Sequence, residues 1–138
     1  MTNPAVIVVG VDGSPPSEDA VRWAVQQAEL TGSTLRAVSS WRWPNYITRV
    51  PPGIDLAEDT RRTLDEVLEQ ALAGFEDVTV TRHVLEGPAG PTLVSQAQDA
   101  SLLVVGAKGR ATFPGMLLGS VAEYCVRNGS CPVVVVRP

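Results

Sequence analysis

The sequence has few of the residues that build metal centres and disulfide frameworks. Its 138 residues include two cysteines, Cys125 and Cys131, and one histidine, His83. Two cysteines are too few for a disulfide framework, and a zinc site needs about four ligands. Both cysteines are therefore predicted to be small apolar side chains that are buried and stay reduced.

Clusters of basic residues and long hydrophobic runs are also missing. The chain has 11 lysines and arginines against 15 acidic residues, a net charge of −4, and no stretch gathers the cations that nucleic-acid binding requires. Its apolar runs are far shorter than the ~20 residues of a membrane-spanning helix. The opening MTNPAVIVVGVDGS lacks the basic start and the cleavage pattern of a signal peptide. We therefore expect no nucleic-acid partner, no membrane association and a cytoplasmic location.

Apolar residues are plentiful, at 44%, and predict one globular domain over residues 1–138. Several short runs are apolar at every position and rich in valine, which is typical of strands covered on both faces. Apolar residues at helical spacing lie between them. The first helix has Ser14 or Ser17 as its cap and Gly32 as its end. Strands are predicted at 5–11, 34–40, 78–85, 102–106 and 133–137, and the other helices at 56–75, at 92–99 and from about 120.

This alternation predicts an α/β fold, an open doubly wound parallel sheet of five strands with helices on both faces. The strand at 78–85 alternates apolar and polar residues, which places it at an edge. Residues 41–55 are predicted to be a long loop, either functional or a surface connection whose tryptophans cover the sheet edge. Ligands of such sheets bind beyond the carboxyl ends of the strands, where the strand order reverses.

Two predicted strands end in the same motif, Val-Val-Gly-x-x-Gly. The first copy, VVGVDGS, contains Asp12, and the second, VVGAKGR, contains Lys108 and Arg110. Glycine in these turns permits positive φ and a close approach of a ligand. Cations suit phosphate, and a carboxylate suits a ribose hydroxyl or a Mg²⁺ ion held by phosphates, so the two turns favour a nucleotide. The alternatives are that Asp12 caps the first helix and that both cations are solvated loop residues.

Gly119 and Ser120 form a second candidate phosphate-binding element at the start of the last helix. A helix N-terminus offers unpaired amides and the positive end of the helix dipole, and Ser120 adds a hydroxyl. Alternatively, Ser120 is a simple N-cap. The P-loop motif G-x-x-x-x-G-K-[ST] and the dinucleotide motif G-x-G-x-x-G are both absent, so neither class of nucleotide-binding protein is indicated.

With these motifs the sequence resembles the universal stress protein family over nearly its whole length. The pattern G-x2-G-x9-G-[ST] of the family's ATP-binding subgroup matches Gly106, Gly109 and Gly119-Ser120. The segments VVGVDGS, LRAVSSW, EGPAGPTLVSQAQDASLLVVG and GMLLGSVAEYCVRNGSCPVVVVRP carry the rest of the likeness. The resemblance implies a strand order of 3-2-1-4-5, with ATP between the ends of strands one and four.

The resemblance also implies a set of nucleotide contacts, in which Val38 packs on the adenine. The implied contact residues are Gly10, Asp12, Val38, Gly106, Lys108, Gly109, Arg110, Gly119, Ser120 and Val121. Relatives often have a hydroxyl residue and an Arg or His where this chain has Ala107 and Lys108, so AMP or ADP are alternatives to ATP. Family members commonly pair through the last strand, which implies a homodimer through Val133–Val136; left bare, this apolar edge would invite aggregation.

The implied function is that of an ATP-binding regulator or sensor in the stress response, because the sequence shows no evident catalytic residues beside the implied nucleotide contacts. His83 lies on the predicted edge strand, away from both glycine turns. Two alternatives remain at this point. One is a slow ATPase or other nucleotide-cleaving enzyme that uses Asp12 and Mg²⁺. The other is a structural dimerisation module whose nucleotide site has lost its function.

Overall fold

A computed structural model describes residues 3–110 and 113–138 of the chain. Its strands form one parallel sheet in the order β3-β2-β1-β4-β5, so the predicted fold class and strand order are confirmed. The elements are β1 (Val6–Gly10), α1 (Pro15–Thr31), β2 (Thr34–Trp41), α2 (Leu56–Ala71), β3 (Val80–Glu86), α3 (Ala89–Gln96), β4 (Leu102–Gly106), α4 (Ser120–Asn128) and β5 (Val133–Val136).

Successive residues of β1 contribute to two hydrophobic cores, one on each face of the sheet. Ile7 and Val9 pack with residues of α1 and α2, whereas Val8 packs with residues of α3 and α4. All three side chains are at most 2% exposed. A strand covered on both faces gains from an apolar side chain at every position, which explains the unbroken apolar run in the sequence.

Helix α1 begins and ends at the residues that the sequence indicates. Ser14 is the N-cap, and its side chain accepts a hydrogen bond from the Ser17 N–H. Pro15 and Pro16 follow in the first turn, where the helix does not use backbone N–H groups. Gly32 ends the helix in the left-handed conformation, with φ of 67°. Ser14, rather than Ser17, is therefore the cap.

The predicted start of α3, at residue 92, was wrong by three residues. The helix begins at Ala89, after Pro88 in an extended N-cap conformation. Gly90 and Pro91 lie in its first turn, where a missing N–H costs no helical hydrogen bond. The glycine and prolines before residue 92 resemble a loop in the sequence, but they are compatible with a helix start.

The predicted end of α2, at residue 75, was also wrong. The helix ends at Ala71, and Leu72 is its C-cap. Leu72 and Phe75 still pack against the core, so the apolar pattern continues into the turn that follows the helix. Packing of that turn, rather than helix continuation, explains the length of the pattern.

The strand order reverses beside β1, which lies between β2 and β4. The chain leaves β1 toward β2 and β3 and later returns to add β4 and β5 on the other side. A crevice at the carboxyl ends of β1 and β4 is the usual consequence. The loop predicted at 41–55 is confirmed for residues 42–55, which contain no helix or strand, but Trp41 is the last residue of β2. None of the helices in the two described segments is long and apolar enough to cross a bilayer.

Alkylation is expected to distinguish the two cysteines, which are both free thiols. Cys125 is buried, and this burial, together with the neighbouring Cys131, raises its pKa to about 11. Cys131 is half-buried, and burial raises its pKa as well. Because the thiolate is the reactive form, we expect iodoacetamide to modify Cys131 slowly in the native protein and Cys125 only after unfolding. Peptide mass spectrometry with and without denaturant measures this, and rapid native labelling of Cys125 would contradict it.

Candidate nucleotide site

A cavity of about 240 Å³ opens at the carboxyl ends of β1 and β4. Every residue that the sequence analysis named as a site residue borders it, although their role in binding stays a prediction. These residues are Gly10, Asp12, Val38, Gly106, Lys108, Gly109, Arg110, Gly119, Ser120 and Val121. The other lining residues, which the sequence motifs do not indicate, are Val11, Ser17, Ser40, Ala89, Leu93, Val105 and Ala122.

On the side of the cavity toward β2, two side chains form an apolar surface beside Ser40, which also borders the cavity. Val38 on β2 and Leu93 on α3 are 1% and 4% exposed and belong to the same core cluster. Gly10 leaves room for Leu93, since a Cβ at Gly10 would lie 2.8 Å from Leu93 Cδ1. A flat apolar group can therefore lie against Val38 and Leu93. Leu93 was missed because its approach to Gly10 depends on how α3 packs, which the sequence motifs do not encode.

The side of the cavity toward β4 contains the start of α4. Gly119 is the N-cap of this helix, and its N–H donates a hydrogen bond to the Ala107 carbonyl oxygen at 2.6 Å. Ser120 is the first helical residue, and no side chain caps the helix. The interpretation of Ser120 as an N-cap was therefore wrong. The first N–H groups of a helix have no acceptor within it, so the amides from Ser120 onward can bind an anion in the cavity.

Asp12 joins the two glycine turns. Its Oδ1 accepts hydrogen bonds from the Ser14 N–H, at 2.9 Å, and from the Ser14 hydroxyl. Its Oδ2 accepts a hydrogen bond from the Arg110 N–H at 3.2 Å. Since Ser14 caps α1, the alternative that Asp12 is the cap was wrong. The carboxylate instead fixes the end of β4 beside the end of β1 and borders the cavity between them.

Close packing, rather than backbone conformation, explains most of the glycines in these turns. A Cβ at Gly106 would lie 2.8 Å from the Pro16 carbonyl oxygen, and a Cβ at Gly109 would lie 2.8 Å from Asp12 Oδ2. Of the four glycines in the two turns, only Gly13 has a positive φ, 82°. The freedom to adopt a positive φ is therefore used at Gly13, whereas Gly10, Gly106 and Gly109 are needed for close approach.

The two cations lie at the β4 side of the cavity. Lys108 is half-buried and Arg110 is exposed. Arg110 Nη2 would lie 3.1 Å from a Cβ at Gly13, so the guanidinium reaches across to the first turn. Within residues 3–110 and 113–138, neither cation forms an ion pair with an acidic side chain. Residues 111 and 112, which follow Arg110 in the sequence, lie outside the described residues.

The cavity thus offers an apolar surface on one side and amides and cations on the other. His83 does not border it; this residue lies on β3, and burial, together with Arg36, lowers its pKa. The described part of the chain contains no group of three or more His, Cys, Asp or Glu side chains arranged to hold a metal. The arrangement suits a molecule with a flat apolar group at one end and negative charge at the other.

Comparison with known families identifies the chain. The model of the universal stress protein family matches residues 5–137. The chain belongs to the universal stress protein family. Universal stress protein Rv2623 of Mycobacterium tuberculosis is 38% identical over 140 residues, which cover 95% of this chain and 47% of that protein. Universal stress protein Rv1996 of the same species is 37% identical over 141 residues, which cover 96% of this chain and 44% of that protein. The chain spans about half the length of these curated relatives.

Solved universal stress proteins share the fold. One, solved in complex with cAMP, matches with a TM-score of 0.74 and 28% identity over 99% of this chain and 98% of that one. UspA from Lactobacillus plantarum matches with a TM-score of 0.71 and 21% identity, over 99% and 100%. The Archaeoglobus fulgidus protein in complex with dAMP matches with a TM-score of 0.67 and 22% identity, over 98% of each chain. The last two matches, below 25% identity, bear on the fold alone.

Proposed function

We propose that this universal stress protein binds an adenine nucleotide, ATP with Mg²⁺, and acts as a nucleotide-dependent regulator or sensor in the stress response. The observation that carries the proposal is the convergence of both glycine turns and the start of α4 on one cavity. The cAMP complex of the relative with 28% identity supports an adenine nucleotide as the ligand class. AMP and ADP are weaker ligands in this proposal.

The two sides of the cavity give the nucleotide an orientation. The adenine lies against Val38 and Leu93, which provide an apolar wall. The phosphates lie toward Lys108, Arg110 and the first amides of α4, where cations and the helix dipole favour negative charge. Since there are several anion-binding groups on this side, a polyphosphate gains more from them than a monophosphate does.

Asp12 is the proposed protein ligand of Mg²⁺. Magnesium is usually bound by one or two carboxylates together with phosphate oxygens and waters, rather than by a cage of protein ligands. Asp12 borders the cavity and is held in place by Ser14 and Arg110. A single carboxylate is thus compatible with a Mg²⁺ ion that is held mainly by the phosphates. The negative charge of Asp12, between the two strand ends, would add electrostatic attraction for that ion.

A regulatory role fits the groups that border the cavity. Its hydroxyls, Ser17, Ser40 and Ser120, have no histidine beside them among the lining residues, and the acidic lining residue is Asp12. A serine nucleophile needs an adjacent base. We therefore propose that occupancy by the nucleotide, rather than its turnover, is what a partner detects.

A homodimer through β5 is part of the proposal. This strand lies at the edge of the sheet, and each residue of Val133–Val136 is half-exposed. An apolar edge strand presents unpaired backbone groups that readily pair with another chain. Sedimentation velocity distinguishes a dimer from a 14.6 kDa monomer; a monomer at all concentrations would contradict this part of the proposal.

Thermal unfolding with and without ligand tests the proposed function. A ligand at about 100 times its Kd adds about 2.7 kcal/mol to the free energy of unfolding, which for a chain of this size raises Tm by roughly 8 °C. We expect this rise with ATP and Mg²⁺ and a smaller one with tripolyphosphate and Mg²⁺, since tripolyphosphate has no group for the apolar wall. The absence of a rise with any adenine nucleotide, or equal rises with both ligands, would contradict the proposal.

Ser120→Ala is expected to weaken ATP binding by about 1–2 kcal/mol, the scale of one hydrogen bond to a charged group. The Tm without nucleotide should hardly change, because the Ser120 side chain does not cap α4. Calorimetric titration and thermal unfolding measure the two effects. Ser130→Ala, an exposed serine past the other end of α4, is the matched control and should change neither. A large fall in Tm with unchanged affinity would assign Ser120 a structural role.

A further inference from the structure

Ser17 is a buried hydroxyl in the first turn of α1 that borders the cavity. The residue is 5% exposed and lies among the lining residues together with Asp12 and Gly106. In the sequence Ser17 is only a candidate helix cap, a role that Ser14 fills in the structure. The structure therefore leaves its position at the cavity without an explanation.

The hydrogen bonds of Ser17 leave its hydroxyl proton unused. Its Oγ accepts a hydrogen bond from the Asp12 N–H at 3.2 Å, and its own N–H donates to Ser14 Oγ at 3.4 Å. A hydroxyl group has one donor and two acceptor positions. Among the described residues no acceptor is recorded for the Ser17 hydroxyl proton, although buried polar groups generally find a partner.

The two other buried serines of the described segments differ in this respect. Ser39 is 3% exposed and donates to the Val11 carbonyl oxygen at 2.7 Å. Ser33 is 6% exposed and shares a hydrogen bond with Thr31 Oγ1 at 2.7 Å. Neither borders the cavity. The buried serine with an unused proton is thus the one that a ligand in the cavity can reach.

The first turn of α1 explains why a side chain is needed here. Pro15 and Pro16 have no N–H groups, and the N–H of Ser17 is directed to Ser14 Oγ. Helix α1 therefore lacks the free amides with which α4 can bind phosphate. In the first turn of α1, the Ser17 hydroxyl can therefore donate a hydrogen bond to a ligand in the cavity in place of a backbone amide.

The position of Ser17 indicates which part of a nucleotide it meets. Its neighbour Pro16 packs against Gly106 at the end of β4, and its Oγ contacts the backbone of Asp12 after β1. Ser17 therefore borders the cavity between the ends of β1 and β4, where the two glycine turns meet. We infer that Ser17 is a further nucleotide-binding residue, whose hydroxyl donates a hydrogen bond to an oxygen of the ribose–phosphate unit. This inference rests on the proposed function.

Calorimetric titration of Ser17→Ala with AMP and with adenosine tests the inference. We expect an affinity for AMP about tenfold lower than that of the wild type, the effect of one lost hydrogen bond. An equal loss with adenosine identifies a ribose oxygen as the acceptor, and a loss confined to AMP identifies the phosphate. Ser33→Ala, a buried serine away from the cavity, is the control and should keep wild-type affinity even if its Tm falls.

A second pair of variants separates the hydroxyl from the packing of Ser17. Ser17→Thr and Ser17→Val have nearly the same shape, and only the threonine keeps a hydroxyl. We expect Ser17→Thr to bind AMP about tenfold more tightly than Ser17→Val. Wild-type affinity in Ser17→Ala, or equal affinities in the pair, would overturn the inference. If the wild type binds no adenine nucleotide, ATP included, the proposed function fails rather than the assignment of Ser17; if it binds ATP but neither AMP nor adenosine, the same comparison of the variants is made with ATP.

Discussion

Gly106→Ala is expected to lower the free energy of unfolding by about 1–3 kcal/mol, the usual cost of overpacking, and to weaken ATP binding by roughly tenfold or more. The added Cβ would lie 2.8 Å from the carbonyl oxygen and 2.9 Å from the carbonyl carbon of Pro16. These backbone atoms belong to the first turn of α1, and the proline ring limits their adjustment. Helix α1 must therefore move away from β4, and Asp12 and Ser17 move with it.

Gly32→Ala is the matched control for this experiment. Gly32 lies at the other end of α1 with φ of 67°, and a Cβ there would meet nothing within 4 Å. The substitution strains the backbone by about 1–2 kcal/mol without disturbing the cavity. Chemical denaturation and calorimetric titration measure both variants. We expect both to lose stability and only Gly106→Ala to lose ATP affinity; wild-type affinity in Gly106→Ala would mean that the packing of α1 on β4 does not shape the site.

Asp12→Asn is expected to remove the contribution of Mg²⁺ to ATP binding. Asp12 accepts hydrogen bonds through both carboxylate oxygens, whereas asparagine has one oxygen and directs an NH₂ group at the second set of donors. We expect a loss of about 1–2 kcal/mol in the free energy of unfolding. In the wild type, ATP should bind about tenfold more tightly with Mg²⁺ than with EDTA. This difference should vanish in Asp12→Asn.

The metal role of Asp12 can be separated from its role in joining the turns. Asp99→Asn removes the same charge from an exposed carboxylate that pairs with Arg36 at a distance from the cavity, and it should keep the full Mg²⁺ effect. Titrations of the three proteins with ATP, in Mg²⁺ and in EDTA, give the comparison. If Asp12→Asn weakens binding equally in both solutions, Asp12 acts by fixing the turns and does not hold the metal.

Most of the fold could be predicted because its signals are local. Every residue of β1 is apolar because both faces of the strand are covered, and Gly32 marks the end of α1 in the sequence itself, whereas the choice of Ser14 as its cap over Ser17 and Asp12 needed the structure. The helix ends of α2 and α3 could not be predicted in the same way. Leu72 packs from a turn with the spacing of a helix, and Pro91 lies within a helix while having the composition of a loop.

The residues of the candidate site likewise fall into those that local sequence signals predict and those that depend on packing. Asp12, Lys108 and Arg110 follow directly after strands, so the sheet topology brings them together once the strand order is known. Leu93 and Ser17 required the structure. Leu93 reaches the cavity because α3 packs over Gly10, and the importance of Ser17 depends on which hydrogen bonds its neighbours already make. Neither property is encoded in the spacing of a motif.

Calorimetric titration of the wild type and Gly119→Val with ATP and Mg²⁺ tests the central claim most directly. A Cβ at Gly119 would already lie 3.2 Å from the Ala107 carbonyl oxygen and from Lys108 Cα, so a branched side chain would disturb the junction of the second turn with α4. We predict one saturable ATP site per chain in the wild type and no measurable binding in a folded Gly119→Val. Absence of saturable binding by the wild type, or equal binding by the two proteins, would contradict a nucleotide site between β1 and β4.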